Sequence, residues 1–236
     1  MNKGRTIHQQ DKIKDWYKSI IPKNLTKKIE VDKNYNKHMI KPCMQIGIIG
    51  PTGSGKTTAL LEFVSRKKTW YEIIIFTGST ADEPIYNYMK ENIEGLELID
   101  NVDDLPNLED FNDEDKSTEK LIVFDDINNL DKKKLKVIEH FFNSSRKYGF
   151  TTICIAQSYT LIPLSIRRNI MIWMIFQLKD VNEISQILKN HNTGNIDKEV
   201  IKKMYHFAVK DKGNFFKIDF TNDENKMFSR NFIDFL

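Results

Sequence analysis

The residues Gly50-Pro51-Thr52-Gly53-Ser54-Gly55-Lys56-Thr57 have the spacing of a phosphate cradle: a glycine, four free positions, then Gly-Lys-Thr. Glycines at 50, 53 and 55 admit backbone conformations closed to residues with a Cβ, so that successive N–H groups converge on a β-phosphate. Lys56 sets a cation against the β- and γ-phosphates, the Thr57 hydroxyl is a ligand for Mg²⁺, and Pro51, Thr52, Ser54 and Thr58 complete the ATP-binding stretch. Chance alone would produce the four fixed positions in roughly one chain of this length in a hundred.

Further along, Leu121-Ile122-Val123-Phe124 ends in the acids Asp125 and Asp126. Asp125 is placed to hold Mg²⁺ directly or through water, and Asp126 to orient or deprotonate the water that attacks a γ-phosphate. Alone, such a run could be an ordinary strand entering a turn; downstream of a phosphate loop it reads as the second half of one site. Gln157, at the exit of the apolar run 150–156, is a third polar group that can contact the γ-phosphate or the attacking water.

These groups need a scaffold that brings strand ends together. Met44 to Ile49 has strand length and runs into the loop, while Thr57 to Lys67 carries Leu60, Leu61 and Val64 at helical spacing. Strand, loop, helix adds the partial positive charge of a helix N-terminus to the site. Glu72 to Phe76 reads as a second buried strand closed by Thr77-Gly78-Ser79, followed by a helix from Asp82 to Asn92 with Asp82 as cap and Pro84 in its first turn. A short strand is predicted at Leu96–Ile99. An amphipathic helix from Asp131 to Tyr148 ends at Gly149 and precedes the strand Phe150–Ala156. Beyond the buried strand Ile170–Phe176, helices over Val181–Asn190 and Lys198–Lys210 lead to a strand at Asn214–Phe220, with Lys226–Phe235 as a pairing edge. The fold these elements predict is a three-layer α/β phosphate-loop domain with a mostly parallel sheet and an additional strand between the two acid- and lysine-bearing motifs.

At 236 residues the chain holds one such domain, residues 41–236, preceded by a basic segment, 1–40. The net charge of +3 hides asymmetry: residues 1–41 hold eleven Lys or Arg against four acids, whereas 97–119 hold ten acids against one Lys. The leader reads either as an arm gripping nucleic-acid phosphate or a partner, or as a solvated segment that packs its few aromatics on the domain edge. The acidic stretch reads as an exposed loop with at most a short helix. Cys43 and Cys154 lack metal or redox spacing, and none of the five histidines falls in a metal-like cluster. No run is long and apolar enough for a membrane span.

Taken in order, the phosphate loop, Ile122-Val123-Phe124-Asp125-Asp126, Ser145-Arg146-Lys147-Tyr148, Ile155-Ala156-Gln157-Ser158, Ile162-Pro163 and Ile166-Arg167-Arg168-Asn169 resemble the genome-packaging ATPases of poxviruses, giant DNA viruses and virophages, within the FtsK–HerA class of DNA motors. The similarity covers about residues 40–236. It implies a homo-oligomeric ring that hydrolyses ATP with Mg²⁺ and drives double-stranded DNA into a capsid, with a capsid or portal-type protein as partner and a virus factory in the host cytoplasm, or the virion, as its place. The resemblance also assigns the catalytic acid to Asp126, where many relatives have Glu, and an arginine supplied by a neighbouring subunit, with Arg146 the first candidate, then Arg167 and Arg168. Two other readings stay open at this point: a kinase for a nucleotide or small molecule, and a nucleotide-gated binding module with little turnover. The paired acids and Gln157 favour water as acceptor.

Overall fold

In a computed structural model, residues 29–67, 69–78, 83–111, 118–180 and 182–236 are described. Among these residues nine strands form one sheet: β1 (Gln45–Ile49), β2 (Glu72–Thr77), β3 (Leu96–Ile99), β4 (Lys120–Asp125), β5 (Phe150–Ala156), β6 (Ile172–Ile175), β7 (Phe216–Asp219), β8 (Phe228–Arg230) and β9 (Asp234–Phe235). Their spatial order is β3-β2-β4-β5-β1-β6-β7-β8-β9. The first six are parallel, and the last three add an antiparallel margin. β5 is therefore the additional strand, hydrogen-bonded to β1 on one side and β4 on the other.

The strands read as near-continuous apolar runs because both sheet faces are covered. One face carries Ile74, Phe124, Cys154 and Trp173 against Phe141, Phe142 and Ile187; the other carries Ile48, Ile75, Val123 and Met174 against Leu60, Phe63 and Met89. Those partners lie on helices α2 (Lys56–Arg66), α3 (Pro84–Asn92), α4 (Lys132–Ser144) and α6 (Glu183–Asn190); the remaining helices are α1 (Tyr35–His38), α5 (Leu164–Arg167), α7 (Lys198–Ala208) and α8 (Glu224–Met227). Helix, sheet, helix is the three-layer arrangement expected from the sequence.

Local departures have local causes. The helix expected over 131–148 ends as an α-helix at Ser144 and continues as a 3₁₀ turn, Ser145–Tyr148, closed by Gly149 at φ 85°. Asp131 caps its N-terminus by accepting from the N–H groups of Lys133 and Lys134 at 2.8 and 2.9 Å. Asp82 and Ser79 lie outside the described residues; the N-cap position of α3 belongs to Glu83, with Pro84 in the first turn. The acidic stretch is more anchored than an exposed loop: two 3₁₀ turns, Val102–Asp104 and Leu108–Asp110, each bury one apolar residue, Val102 and Leu108. Residues 112–117 lie outside the description.

Of the basic segment 1–40, residues 1–28 also lie outside it. The remainder packs on the domain. His38 and Ile40 are buried, His38 sets its ring edge on Phe63, and the Thr69 hydroxyl donates to Asp32 Oδ2 at 2.8 Å.

Candidate nucleotide site

Parallel strands in register deliver their C-terminal ends to one edge. Thr77 of β2 pairs with Asp125 of β4, Asp125 with Ile155 of β5, and Ala156 of β5 with Ile49 of β1. The loop after β1, the Asp125-Asp126 turn after β4 and Gln157 after β5 thus converge on a cleft of about 390 Å³, lined also by Thr52, Thr58, Gly78, Glu83 and Tyr86.

The loop glycines divide their work. Gly53 and Gly55 take φ of 75° and 106°, as anticipated, and Gly55 is the N-cap of α2. Gly50 lacks positive φ, and its constraint is space: an added Cβ would lie 2.6 Å from Phe176 Cβ and 2.8 Å from Ser54 Oγ. Lys56 folds over the loop and donates to the carbonyls of Gly50 at 2.8 Å and Pro51 at 3.1 Å. Burial pushes its ammonium group below the usual lysine range, opposed by Asp125, Glu83 and Asp126.

Asp125 and Asp126 end in different environments although adjacent. The Asp125 carboxylate accepts from the Tyr86 hydroxyl at 2.5 Å. Burial raises the Asp125 pKa, while Tyr86 and Lys56 pull it down. Asp126 takes the left-handed conformation, φ 54° and ψ 53°, which Asp tolerates better than most residues. The kink turns its side chain into the cleft, where Asn128 Nδ2 lies 3.4 Å from Oδ1. Gly78 locks that turn from β2: its N–H donates to Asp125 O at 2.9 Å, and a Cβ would lie only 2.9 Å from the Asp126 carbonyl carbon.

The donor set fits a triphosphate. Lys56, the N-terminus of α2 and two buried hydroxyls without a hydrogen-bond partner among the described residues, Ser54 Oγ and Thr77 Oγ1, all sit on or beside the loop. Thr57 and Asp125, both lining the cleft, are an oxygen pair suited to a hard cation.

Tyr86, Glu83, Thr77 and Gly78 went unassigned in the sequence reading. The available signal was topological: α3 follows β2, and β2 lies beside β4, so the first turn of α3 must cover the acids. Arg146 lies elsewhere. It occupies the 3₁₀ turn before β5, at the edge where the parallel strands begin, with Arg167 and Arg168 before β6 at that same edge. Seven residues of β5 separate Arg146 from Gln157, roughly 20 Å at ~3.3 Å per residue, so it does not reach the cleft of its own subunit.

Comparisons with known proteins agree with this geometry. The sequence pattern of the family described as Poxvirus A32 protein matches residues 31–219. The fold is similar to the genome packaging NTPase B204 from Sulfolobus turreted icosahedral virus 2 in complex with sulfate, at TM-score 0.55 and 14% identity over 81% of this chain and 97% of that one. It is likewise similar to B204, the DNA-packaging ATPase from Sulfolobus Turreted Icosahedral Virus (TM-score 0.52, 15% identity, 81% of this chain and 98% of that one). The EssC ATPases 2 and 3 from Geobacillus thermodenitrificans also share it (TM-score 0.52, 12% identity), with 75% of this chain covering 37% of theirs. No curated protein sequence matches the chain. With its phosphate loop, additional strand and four-fifths of its length inside the family pattern, the chain belongs to the Poxvirus A32 protein family.

Proposed function

We propose that the chain is the ATPase motor of a viral genome-packaging machine, hydrolysing ATP in the cleft between β1, β5 and β4 and moving double-stranded DNA into a capsid. The observation that carries the reading is the convergence of Lys56, Asp125, Asp126 and Gln157 on one cleft, with the additional strand between the lysine- and acid-bearing strands. Family membership and the packaging NTPases among the similar structures support it.

Binding begins with the loop N–H groups and the α2 N-terminus receiving the β-phosphate. Lys56 exchanges the Gly50 and Pro51 carbonyls for phosphate oxygens. Thr57 and Asp125 would hold Mg²⁺, which supplies charge neutralisation across the phosphates. Gln157 orients a water in line with the γ-phosphorus, and Asp126 takes its proton as the new P–O bond forms and the bond to the β–γ bridging oxygen breaks, leaving ADP and phosphate. Among the described residues Lys56 is the lone Lys or Arg lining the cleft, so charge growing on the γ-phosphate calls for a further cation from a neighbouring subunit of a ring, for which Arg146, Arg167 and Arg168 are candidates in that order.

The reading includes the basic arm 1–40 as a phosphate or partner contact, a capsid or portal-type partner, and a place in the host cytoplasm or virion. Among the described residues no helix is long and apolar enough to cross a membrane. The test measures phosphate release with and without duplex DNA and with nucleotide or small-molecule acceptors. Release to water, accelerated by duplex, is expected; transfer to an acceptor would make the protein a kinase, and DNA-independent trace turnover would make it a binding module.

A further inference from the structure

One margin of the sheet has no partner. β3 is hydrogen-bonded to β2 on one side, and no described strand lies on the other. Where β3 begins, a groove of about 670 Å³ opens between Tyr71, Leu96 and Glu97 and the segment that carries Pro106, Asp110 and Phe111. Its floor is apolar and open to solvent: Tyr71 is 63% exposed, and Leu96, Pro106 and Phe111 are half-buried. Its rim is acidic. Glu97 and Asp110 are exposed and make no ion pair or side-chain hydrogen bond among the described residues, and no described Lys or Arg lines the groove. Residues 97–111 hold six acids and no Lys or Arg.

The chain carries its own complement to this surface. Residues 1–28, outside the described residues, hold eight Lys or Arg against two acids, with Trp16, Tyr17, Ile20 and Ile21 among them. The described chain also begins beside the groove. A Cβ on Gly149 would lie 3.2 Å from Ile29 Cδ1 and 3.3 Å from Lys120 Nζ, and Lys120 Nζ lies 5.3 Å from the Phe111 ring centroid. Roughly four extended residues span that separation, at ~3.3 Å each.

We propose that residues 1–28 dock in this groove of their own chain, lysines against Glu97 and Asp110 and the Trp16-Tyr17 pair over the apolar floor, and that duplex DNA competes for the same lysines. Attachment at residue 29 gives the leader a local concentration on the order of millimolar, at which individually weak exposed ion pairs hold it. The acidic rim stands in for phosphate, so the leader stays off other polyanions until a duplex displaces it. Docking is independent of the motor function; the competition rests on it, since there the arm meets phosphate.

The experiment treats the full chain with a zero-length carbodiimide, which joins a lysine to a carboxylate only where the two touch, and maps the links by mass spectrometry in an equal mixture of unlabelled and ¹⁵N-labelled protein. Links from leader lysines to Glu97 and Asp110 are expected within single chains, fading as salt screens the pairs. Links no more frequent there than at Asp234, an exposed acid on the opposite margin, overturn the docking, and links mainly between chains of different label overturn its intramolecular form. A labelled 30-base-pair duplex then tests the competition. Glu97→Gln/Asp110→Asn, which removes two exposed charges and buries nothing, should bind duplex about 2- to 30-fold more tightly than the wild type, the range for two exposed ion pairs, whereas Asp234→Asn should not. Equal affinity of the double variant and the wild type overturns the competition. Failure of the wild-type chain to bind any duplex would remove the DNA motor reading, while the links to Glu97 and Asp110 would still uphold the docking.

Discussion

Tyr86→Phe isolates one hydrogen bond at the centre of the nucleotide site. Tyr86 is 1% exposed, so phenylalanine fills the same space and removes only the hydroxyl. That hydroxyl donates to Asp125 Oδ2, so its loss leaves the carboxylate short of a partner. A hydrogen bond to a charged group contributes about 1.5–3 kcal/mol, which for a domain of this size lowers the melting temperature of the nucleotide-free protein by roughly 3–12 °C. Binding of Mg·ATP has the opposite sign. Asp125 must loosen its bond to Tyr86 to serve a cation, so the variant should gain more thermal stabilisation from Mg·ATP than the wild type does. Differential scanning calorimetry with and without Mg·ATP reads both effects. A nucleotide-free variant that melts with the wild type would refute the reasoning.

Lys56→Ala should lose most ATP binding in a fluorescent-nucleotide titration, because no neutral side chain replaces its charge; near-normal affinity would contradict the site. Asp126→Asn should bind Mg·ATP while hydrolysing it 10²–10⁴-fold more slowly, whereas Asp125→Asn should weaken Mg-dependent binding, and equal affinity losses in both would contradict the division of roles. His38 gives a pH prediction: burial, reinforced by Lys67, lowers its pKa from 6.5 to about 4, and its Nδ1 accepts the Ile40 N–H at 3.1 Å, a bond that protonation breaks. The stability contributed by neutral His38 is therefore full above pH 6.5 and is lost as pH falls toward 4, by up to about 3 kcal/mol. Denaturant titrations of wild type and His38→Gln should diverge in pH dependence across that window; parallel curves would count against the argument.

The sheet and the polar groups of the cleft were legible in the sequence because each announces itself locally. Leu121–Phe124 is apolar on every residue since both faces of β4 are covered, and the acids follow directly at the strand's end. The loop spacing names Lys56 and Thr57 without reference to anything distant. Tyr86 was illegible because its role depends on β2 and β4 being neighbours, a relation that no local pattern encodes. Gly78 was read as a turn residue, while its constraint comes from the backbone of Asp126, 48 positions away in the chain. Arg146 was read correctly as lying near the end of a helix, yet only the strand direction shows that this end faces away from the phosphate loop.

The account's central claim is that hydrolysis moves the protein along DNA, and displacement of a triplex-forming oligonucleotide from duplex DNA tests it most directly. Wild-type protein with Mg·ATP should strip the third strand, while Lys56→Ala, or wild type with a non-hydrolysable analogue, should leave it in place. Rapid ATP hydrolysis on the same duplex with the third strand undisturbed would contradict the claim.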